Sequence, residues 1–419
     1  MNKFNIDLAV IGLGYVGLPL VVESCNAGLN VFGYDNNSEK VKNINQGISP
    51  IEDISDSKLT EAIKKGLVIS DSPKNIKDSE HIVISVPTPL TDYQPDLSYV
   101  KAAARTIAKN ITKDQVIILE STTYPGTTIE VLIPEIESVT ELKAGKDFHV
   151  GYSPERIDPG NDTWNFKNTP KVISGIDEES TKKVKSFYEK IIDEVVLVSG
   201  TKEAEMVKLL ENTYRHVNIA FINELAILCN MLEIDIWEVV EAAKTKPFGF
   251  ESFRPGPGVG GHCIPIDPSY LSFKTRQIGK PVRFVELAQE INNTMPSYIV
   301  TRILEKMNSI DKPMNNSKIL IMGVAYKKDI SDTRESPAID IIDSLILKGA
   351  DVSYYDPFVD SLEVKGSLKK EEDKKNFHKY DLILFHTAHT EFSKIKFDQI
   401  EVPIFDATGS DYLLNSERI

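Results

Sequence analysis

Cys263 stands in a loop dense in glycine and proline, Gly256-Pro257-Gly258-Val259-Gly260-Gly261-His262-Cys263-Ile264-Pro265-Ile266-Asp267-Pro268. Glycine permits close backbone approach and proline fixes turns, so the run is built for shape. A thiol there, with an acid four residues later, can act as a nucleophile where a cation depresses its pKa or a base takes its proton. It can equally be a small buried hydrophobe. Lys208 and Asn212 lie four residues apart in a stretch free of glycine and proline. On a helix they share one face and offer a cation and an amide to one spot, or else form a solvated face. Glu120-Ser121-Thr122-Thr123-Tyr124-Pro125-Gly126-Thr127 and Ser153-Pro154-Glu155-Arg156 each follow a predicted strand. Open α/β sheets gather ligand-binding residues at such ends.

A second cluster points to a dinucleotide. Gly12-Leu13-Gly14-Tyr15-Val16-Gly17 lies between a predicted strand and a predicted helix, and Asp35 closes the next strand 18 residues after Gly17. In that context Gly12 serves the tight turn, Gly14 the approach of a pyrophosphate to the helix N-terminus, and Gly17 close helix–strand packing. Asp35 accepts hydrogen bonds from ribose hydroxyls and repels a 2′-phosphate, which favours NAD over NADP.

These residues need elements to hold them. Ile6–Gly12 and Asn30–Tyr34, with a helical pattern between, form one β-α-β unit. Further apolar runs at 82–86, 115–119, 150–152, 172–174 and 195–199 alternate with helical stretches such as 96–110. Such alternation predicts a mostly parallel sheet covered on both faces. From Thr201 the period predicts one long helix to about Leu232 and a second to about Ala243; a helical region resumes near 282–307, after the glycine- and proline-rich loop. A helix of that length is suited to joining domains or meeting a partner subunit. Residues 311–317 form a linker. Beyond it, a strand ending at Gly323, a helix near 338–348 and a strand 351–355 closed by Asp356-Pro357 repeat the N-terminal order. In the repeat, Gly323-Val324-Ala325-Tyr326 lacks the other glycines, so a second dinucleotide is not expected there.

At 419 residues the chain is long enough for two or three domains. A net charge of -14 argues against general attraction to nucleic acid or anionic membrane, so an anionic ligand requires a locally basic pocket. Three scattered cysteines, Cys25, Cys229 and Cys263, fit a reducing compartment better than a disulfide framework, and a cytoplasmic location is expected. No apolar run is long enough for a membrane span, and Asp7 with the glycines interrupts the signal-like N-terminus. His386 and His389 are three apart without a nearby third ligand, so no metal site is expected.

The set Gly12–Gly17, Glu120–Thr127, Ser153–Arg156, Glu211-Asn212-Thr213-Tyr214-Arg215, Gly260–Asp267 and Tyr326-Lys327-Lys328-Asp329 with Asp332-Thr333-Arg334-Glu335-Ser336-Pro337 resembles the UDP-sugar 6-dehydrogenase family, in order and over nearly the whole chain. The resemblance implies an α/β architecture in three parts. Residues 1–200 would form an NAD-binding Rossmann domain, 201–310 a central long-helix dimerisation and catalytic-loop region, and 311–419 a smaller Rossmann-like domain for the UDP-sugar. It places the nucleophile on Cys263, its neighbouring acid on Asp267, the helix pair on Lys208 and Asn212, a water-handling glutamate on Glu155 and an active-site threonine on Thr122. Cofactor contacts fall on Gly12, Gly14, Tyr15, Val16, Gly17, Asp35, Lys40, Thr88, Thr122 and Arg334. Substrate contacts fall on Glu155, Lys208, Asn212, Arg254, Gly260, Tyr326 and Lys327.

The resemblance also implies a reaction: oxidation of a primary alcohol to a carboxylate with two NAD consumed per sugar, through a thioester on Cys263, for surface-polysaccharide precursors. The Ser153–Gly160 stretch, His262 before the cysteine, Asp267-Pro268 after it and the 247–258 segment look most like UDP-N-acetylglucosamine dehydrogenases, with UDP-N-acetylmannosamine and UDP-glucose as alternatives. Asp406-Ala407-Thr408-Gly409 departs from the pattern, lacking the Arg or Asn that many members carry after this aspartate. A two-electron β-hydroxyacid dehydrogenase and a non-catalytic NAD-binding protein share parts of the layout, but neither needs Cys263. A homodimer or higher homo-oligomer through the central helices is the expected assembly.

Overall fold

A computed structural model describes residues 4–91, 94–158, 161, 163–261, 264–371, 377–411, 413 and 416–419. His262 and Cys263 lie outside the described residues. The chain divides into two compact units, Met1–Glu211 with Ser269–Lys280, and Asn212–Pro268 with Pro281–Ile419. The boundary falls inside one helix, Thr201–Met231.

The first unit is built on eight strands: β1 Ile6–Ile11, β2 Val31–Tyr34, β3 Val68–Ser70, β4 Ser79–Ile84, β5 Val116–Leu119, β6 His149–Tyr152, β7 Lys171–Gly175 and β8 Val195–Leu197. Their order is β8-β7-β6-β5-β4-β1-β2-β3. The run 3-2-1-4-5-6 within it is the dinucleotide-binding order, whose chain reversal beside β1 opens a crevice at the strand ends. Strands β1 and β4–β6 are apolar on both faces, as a sheet covered on both sides requires. Leu8, Val10, Val21, Val83, Ile118 and Phe187 share one buried cluster.

The structure corrects two sequence expectations, the bounds of one strand and the extent of one loop, and bears out the mostly parallel sheet. The run predicted at 82–86 begins earlier and ends at Ile84, because Ser85 and Val86 turn out beside Gly12. The sheet is parallel except that β6 and β7 pair antiparallel, Gly151 against Gly175 and Tyr152 against Ser174. Asp267–Gln277 is a helix that begins inside the loop read as extending to Pro268. Proline in a first helical turn forfeits no hydrogen bond, so Pro268 does not prevent it.

The second unit carries a six-stranded all-parallel sheet: β9 Lys318–Met322, β10 Asp351–Tyr355, β11 Lys369–Lys370, β12 Leu382–Phe385, β13 Ile404–Asp406 and β14 Glu417–Arg418. Its order, β11-β10-β9-β12-β13-β14, repeats the 3-2-1-4-5-6 pattern. Helices Ile236–Lys244, Arg283–Ser309 and Pro337–Leu347 pack on it through Trp237, Ile299, Ile303, Ile341 and Leu345. Gly409 has φ +59, and a Cβ there would lie 2.4 Å from the Trp237 ring. Close packing against that ring therefore accounts for the glycine of the Asp406–Gly409 segment. Among the described residues no helix is long and apolar enough to cross a membrane.

Candidate active site

In the first unit the chain leaves β1 at Gly12 with φ +95, and a Cβ there would sit 2.6 Å from the Ser85 carbonyl oxygen. A Cβ on Gly17 would lie 1.9 Å from the Gly12 carbonyl oxygen, so both positions exclude a side chain. At Gly14 a Cβ would meet nothing within 4 Å. The helix Gly17–Asn26 starts at Val16 with no side-chain cap, and among its first N–H groups that of Leu18 is taken by the Gly14 carbonyl at 3.0 Å. Asp35, nearly buried, accepts from the Leu13 N–H at 3.0 Å and from Lys40 Nζ at 2.8 Å through Oδ2, and from the Asn37 N–H at 3.0 Å through Oδ1. The Tyr15 hydroxyl donates to Glu52 at 3.4 Å. Thr88 is buried, and its carbonyl accepts the Tyr270 hydroxyl at 2.9 Å. An open glycine, an uncapped helix start and an anchored carboxylate fit a dinucleotide's pyrophosphate and ribose.

Beyond β5 and β6 the same unit holds a buried polar cluster. Glu155 Oε1 accepts the N–H groups of Arg156 at 2.7 Å and Ile157 at 2.6 Å, and its main-chain carbonyl accepts Lys208 Nζ at 2.6 Å. Lys171, the first residue of β7, reaches Glu120 Oε1 at 2.9 Å and Glu155 Oε2 at 3.5 Å. The Tyr188 hydroxyl donates to Glu120 Oε1. Burial lifts the Glu120 carboxyl above the ordinary range, against the pull of Lys171. Burial alone would depress the Lys171 ammonium, but Glu120 and Glu155 outweigh it and hold its pKa up. Arg156 turns away to Glu211 at 2.7 Å.

Thr122 is half-buried in the loop after β5. That loop is tied at its far end by Glu205, which accepts from the Gly126 N–H at 2.5 Å, the Thr128 N–H at 2.8 Å and the Thr128 hydroxyl at 2.7 Å.

In the second unit Asn212 Nδ2 donates to Asp267 Oδ2, and Asp267 is only 3% exposed. A buried amide chain supports the loop that leads to the cysteine: Asn292 Nδ2 donates to the His216 carbonyl at 3.2 Å, Asn223 Nδ2 to Asn292 Oδ1 at 3.0 Å, and the Gly256 N–H to Asn223 Oδ1 at 2.9 Å. Burial pushes the His216 imidazole down to about 4, so it sits there neutral. Gly260 and Gly261 lie against Tyr326, where added Cβ atoms would come within 2.6 and 2.7 Å of its side chain. The Gly261 N–H donates to the Arg334 carbonyl at 3.0 Å. The Arg334 guanidinium itself pairs with Asp332 at 2.6 Å, and Arg254 pairs with Glu241 at 2.9 Å on the surface. Lys327 follows Tyr326 in the turn region after β9.

The fold thus joins Glu155 to Lys208 within one unit, and Asn212 to Asp267 and Gly260 to Tyr326 within the other. Lys171, Tyr188 and Glu205 carry signals that the sequence reading passed over. Each is a polar group inside an apolar or helical run, Lys171 in Lys171-Val172-Ile173-Ser174-Gly175. His389, weighed in the sequence only as a metal ligand, has another place: its Nδ1 accepts the Asp329 N–H at 2.9 Å and its Nε2 contacts Asp356 Oδ2 at 3.0 Å.

Residues 6–192 match the NAD binding domain of the UDP-glucose/GDP-mannose dehydrogenase family, 202–294 its central domain and 320–409 its UDP binding domain. The chain is 35% identical to a UDP-N-acetyl-D-mannosamine dehydrogenase of Pyrococcus horikoshii, over 94% of this chain and 92% of that one. It is also 35% identical to a UDP-N-acetyl-D-glucosamine 6-dehydrogenase of Pseudomonas aeruginosa, over 99% of this chain and 98% of the other. Among solved structures, a UDP-N-acetylmannosamine dehydrogenase from Pyrococcus horikoshii superposes with a TM-score of 0.88 at 32% identity, covering 98% of this chain and 97% of that one.

Proposed function

The chain belongs to the UDP-glucose/GDP-mannose dehydrogenase family and is an NAD-dependent UDP-sugar dehydrogenase, and from that premise we propose that it oxidises C6 of a UDP-N-acetylhexosamine fully to the carboxylate, with Cys263 as covalent anchor. UDP-N-acetylglucosamine is the proposed substrate, and UDP-N-acetylmannosamine the alternative. Relatives bear both names at equal identity, so the choice rests on the loops around Glu155 and Cys263. The product would feed surface-polysaccharide synthesis.

What carries the reading is the pairing of assigned residues by hydrogen bonds, Lys208 with Glu155 in the interior and Asn212 with Asp267 in a partly buried position. Each NAD takes up one hydride, so a four-electron oxidation consumes two. In the first oxidation a water held by Lys208 and Asp267 takes the hydroxyl proton as hydride leaves C6. The Cys263 thiolate then adds to the aldehyde carbon, and the resulting oxyanion is stabilised by the Lys208 ammonium and the Asn212 amide. Loss of the second hydride leaves a thioester. Glu155 takes a proton from water, the hydroxide oxygen bonds to the carbonyl carbon, the C–S bond breaks and the thiolate is restored. Tyr326, Lys327, Arg254 and Gly260 are proposed to hold the UDP-sugar, and Lys40, Asp35, Thr88 and Arg334 the cofactor.

Tyr214, Phe221 and Leu228 on one helix, with Phe284 and Leu287 on another, are large exposed apolar side chains of the second unit. They support assembly as a homodimer through these helices.

The test is NADH yield against a panel of UDP-glucose and the three UDP-N-acetylhexosamines. Two NADH per acid with an N-acetylhexosamine supports the reading, whereas one NADH and no acid sinks it. Cys263→Ala is expected to bind NAD yet form no acid.

A further inference from the structure

Lys171 is enclosed in the interior of the first unit, with Glu120 Oε1 at 2.9 Å, Glu155 Oε2 at 3.5 Å and the centre of the Tyr188 ring at 5.2 Å. One buried ammonium therefore serves two buried carboxylates. The Oε2 atoms of Glu120 and Glu155 are both buried without a hydrogen-bond partner among the described residues. Buried ion pairs are poor sources of stability compared with packed apolar side chains, and a lysine that merely joined β5 to β7 would need only one carboxylate. Glu155 is, in addition, gripped on its other oxygen by two backbone N–H groups and on its carbonyl by Lys208. That arrangement fixes the direction of Oε2 and leaves it a lone pair to offer.

We infer that Lys171, backed by Glu120, is the positioning residue for Glu155: its ammonium orients that carboxylate to take the proton of the water that cleaves the thioester. This assignment rests on the hydrolytic role proposed above for Glu155. The charged and titratable groups around Glu155 are Lys171 and Glu120 inside, Tyr188 behind Glu120, Lys208 on its carbonyl, and Arg156, which points to Glu211. Of these, only Lys171 places a cation against the carboxylate itself.

The experiment uses the full chain with NAD and its UDP-sugar, following the NADH burst, the intact mass of the enzyme and the pH profile of turnover. In Lys171→Met, turnover is expected to fall at least tenfold and an adduct with the mass of the UDP-uronyl group to accumulate on Cys263. The acid limb of hydrolysis is expected to move up by about 1 pH unit or more, because a carboxylate deprived of a neighbouring cation holds its proton more tightly. Lys171→Arg, which keeps the charge, restores the limb. If Lys171→Met does not fold, Lys171→Met/Glu120→Gln removes the unpaired carboxylate and carries the same readouts. Glu155→Gln separates the two roles. An adduct in Glu155→Gln, with none in the Lys171 variants and an unmoved acid limb, overturns the positioning role alone. Absence of the adduct in Glu155→Gln overturns the hydrolytic role on which it rests.

Discussion

Asp35 and Asp356 each follow the second strand of a 3-2-1-4-5-6 sheet, and each accepts backbone N–H groups from the loop after the first strand. Their remaining partners differ. Among the described residues Asp35 meets, besides Leu13, only Lys40 and its own turn, and a side chain at Gly14 in the glycine turn would meet nothing within 4 Å. Asp356 Oδ2 takes the N–H groups of Val324 and Ala325 and faces the fully buried ring of His389. The second repeat uses its acid to tie the fold together, and the first is proposed to offer its acid to the cofactor.

Asp35→Asn keeps the shape and removes the charge. Hydrogen bonds to a charged group contribute about 1.5–3 kcal/mol, so KM for NAD is expected to rise about 10- to 100-fold. The preference for NAD over NADP should shrink with it, since a 2′-phosphate no longer meets a carboxylate. Steady-state kinetics with both cofactors decide this. An unchanged NAD/NADP ratio would remove Asp35 from the cofactor site.

His389 connects that anchor to the 326–329 loop, since its Nδ1 accepts the Asp329 N–H. With Nδ1 accepting, it is Nε2 that donates to Asp356. Burial would raise the Asp356 carboxyl, but this hydrogen bond and the N–H groups of Val324 and Phe358 hold it below the ordinary range. His389→Phe strands the buried Asp356 carboxylate and frees the partly buried Asp329 N–H, a loss of about 2–3 kcal/mol of stability by chemical denaturation. KM for the UDP-sugar should rise, since Tyr326 and Lys327 precede the freed Asp329, while KM for NAD holds. Equal effects on both would place the loop elsewhere in the mechanism.

Glu205 gives a pH signature. Burial lifts its carboxyl to about 7, against three hydrogen bonds that favour the charged form. A folded pKa above the unfolded value means that folding favours the protonated acid. The contribution is complete below an unfolded value near 4.5 and is lost as pH rises through 7. Relative to Glu205→Gln, the wild-type chain should lose about 2 kcal/mol between pH 5.5 and 8.5 in urea unfolding, at about 1.4 kcal/mol per pKa unit. A difference that does not vary with pH contradicts the assignment.

Contiguous motifs were legible in the sequence, and juxtapositions across the sheet were not. Gly12–Gly17 with Asp35 is a local device whose parts are set by one turn and one strand, so spacing sufficed. The helix Thr201–Met231 was visible because 31 residues keep one period without a breaker. Lys171 escaped because its partners precede it by 16 and 51 residues. They meet it only through the β5-β6-β7 order and an antiparallel pairing that apolar runs do not encode. The helix at Asp267 escaped because its prolines read as loop.

Gly260 joins the cysteine loop to the nucleotide-binding half of the second unit. A Cβ there would lie 2.6 Å from Tyr326 Cβ, 2.8 Å from the Glu335 carbonyl oxygen and 3.2 Å from Pro337, and two of these neighbours cannot swing aside because they are backbone and a ring. Gly260→Ala must therefore push the loop away from Tyr326. The displacement acts on both the loop that carries Cys263 and a proposed UDP contact. A shift of about 1 Å at a reacting group costs on the order of 100-fold in rate, so kcat should fall by that order while KM for the UDP-sugar rises. NAD binding, proposed to rest on Gly12–Gly17 and Asp35 in the other unit, should stay within about twofold by fluorescence titration, since those residues keep the contacts made within their own unit. Wild-type kcat in Gly260→Ala would show that the packing against Tyr326 does not hold the catalytic loop.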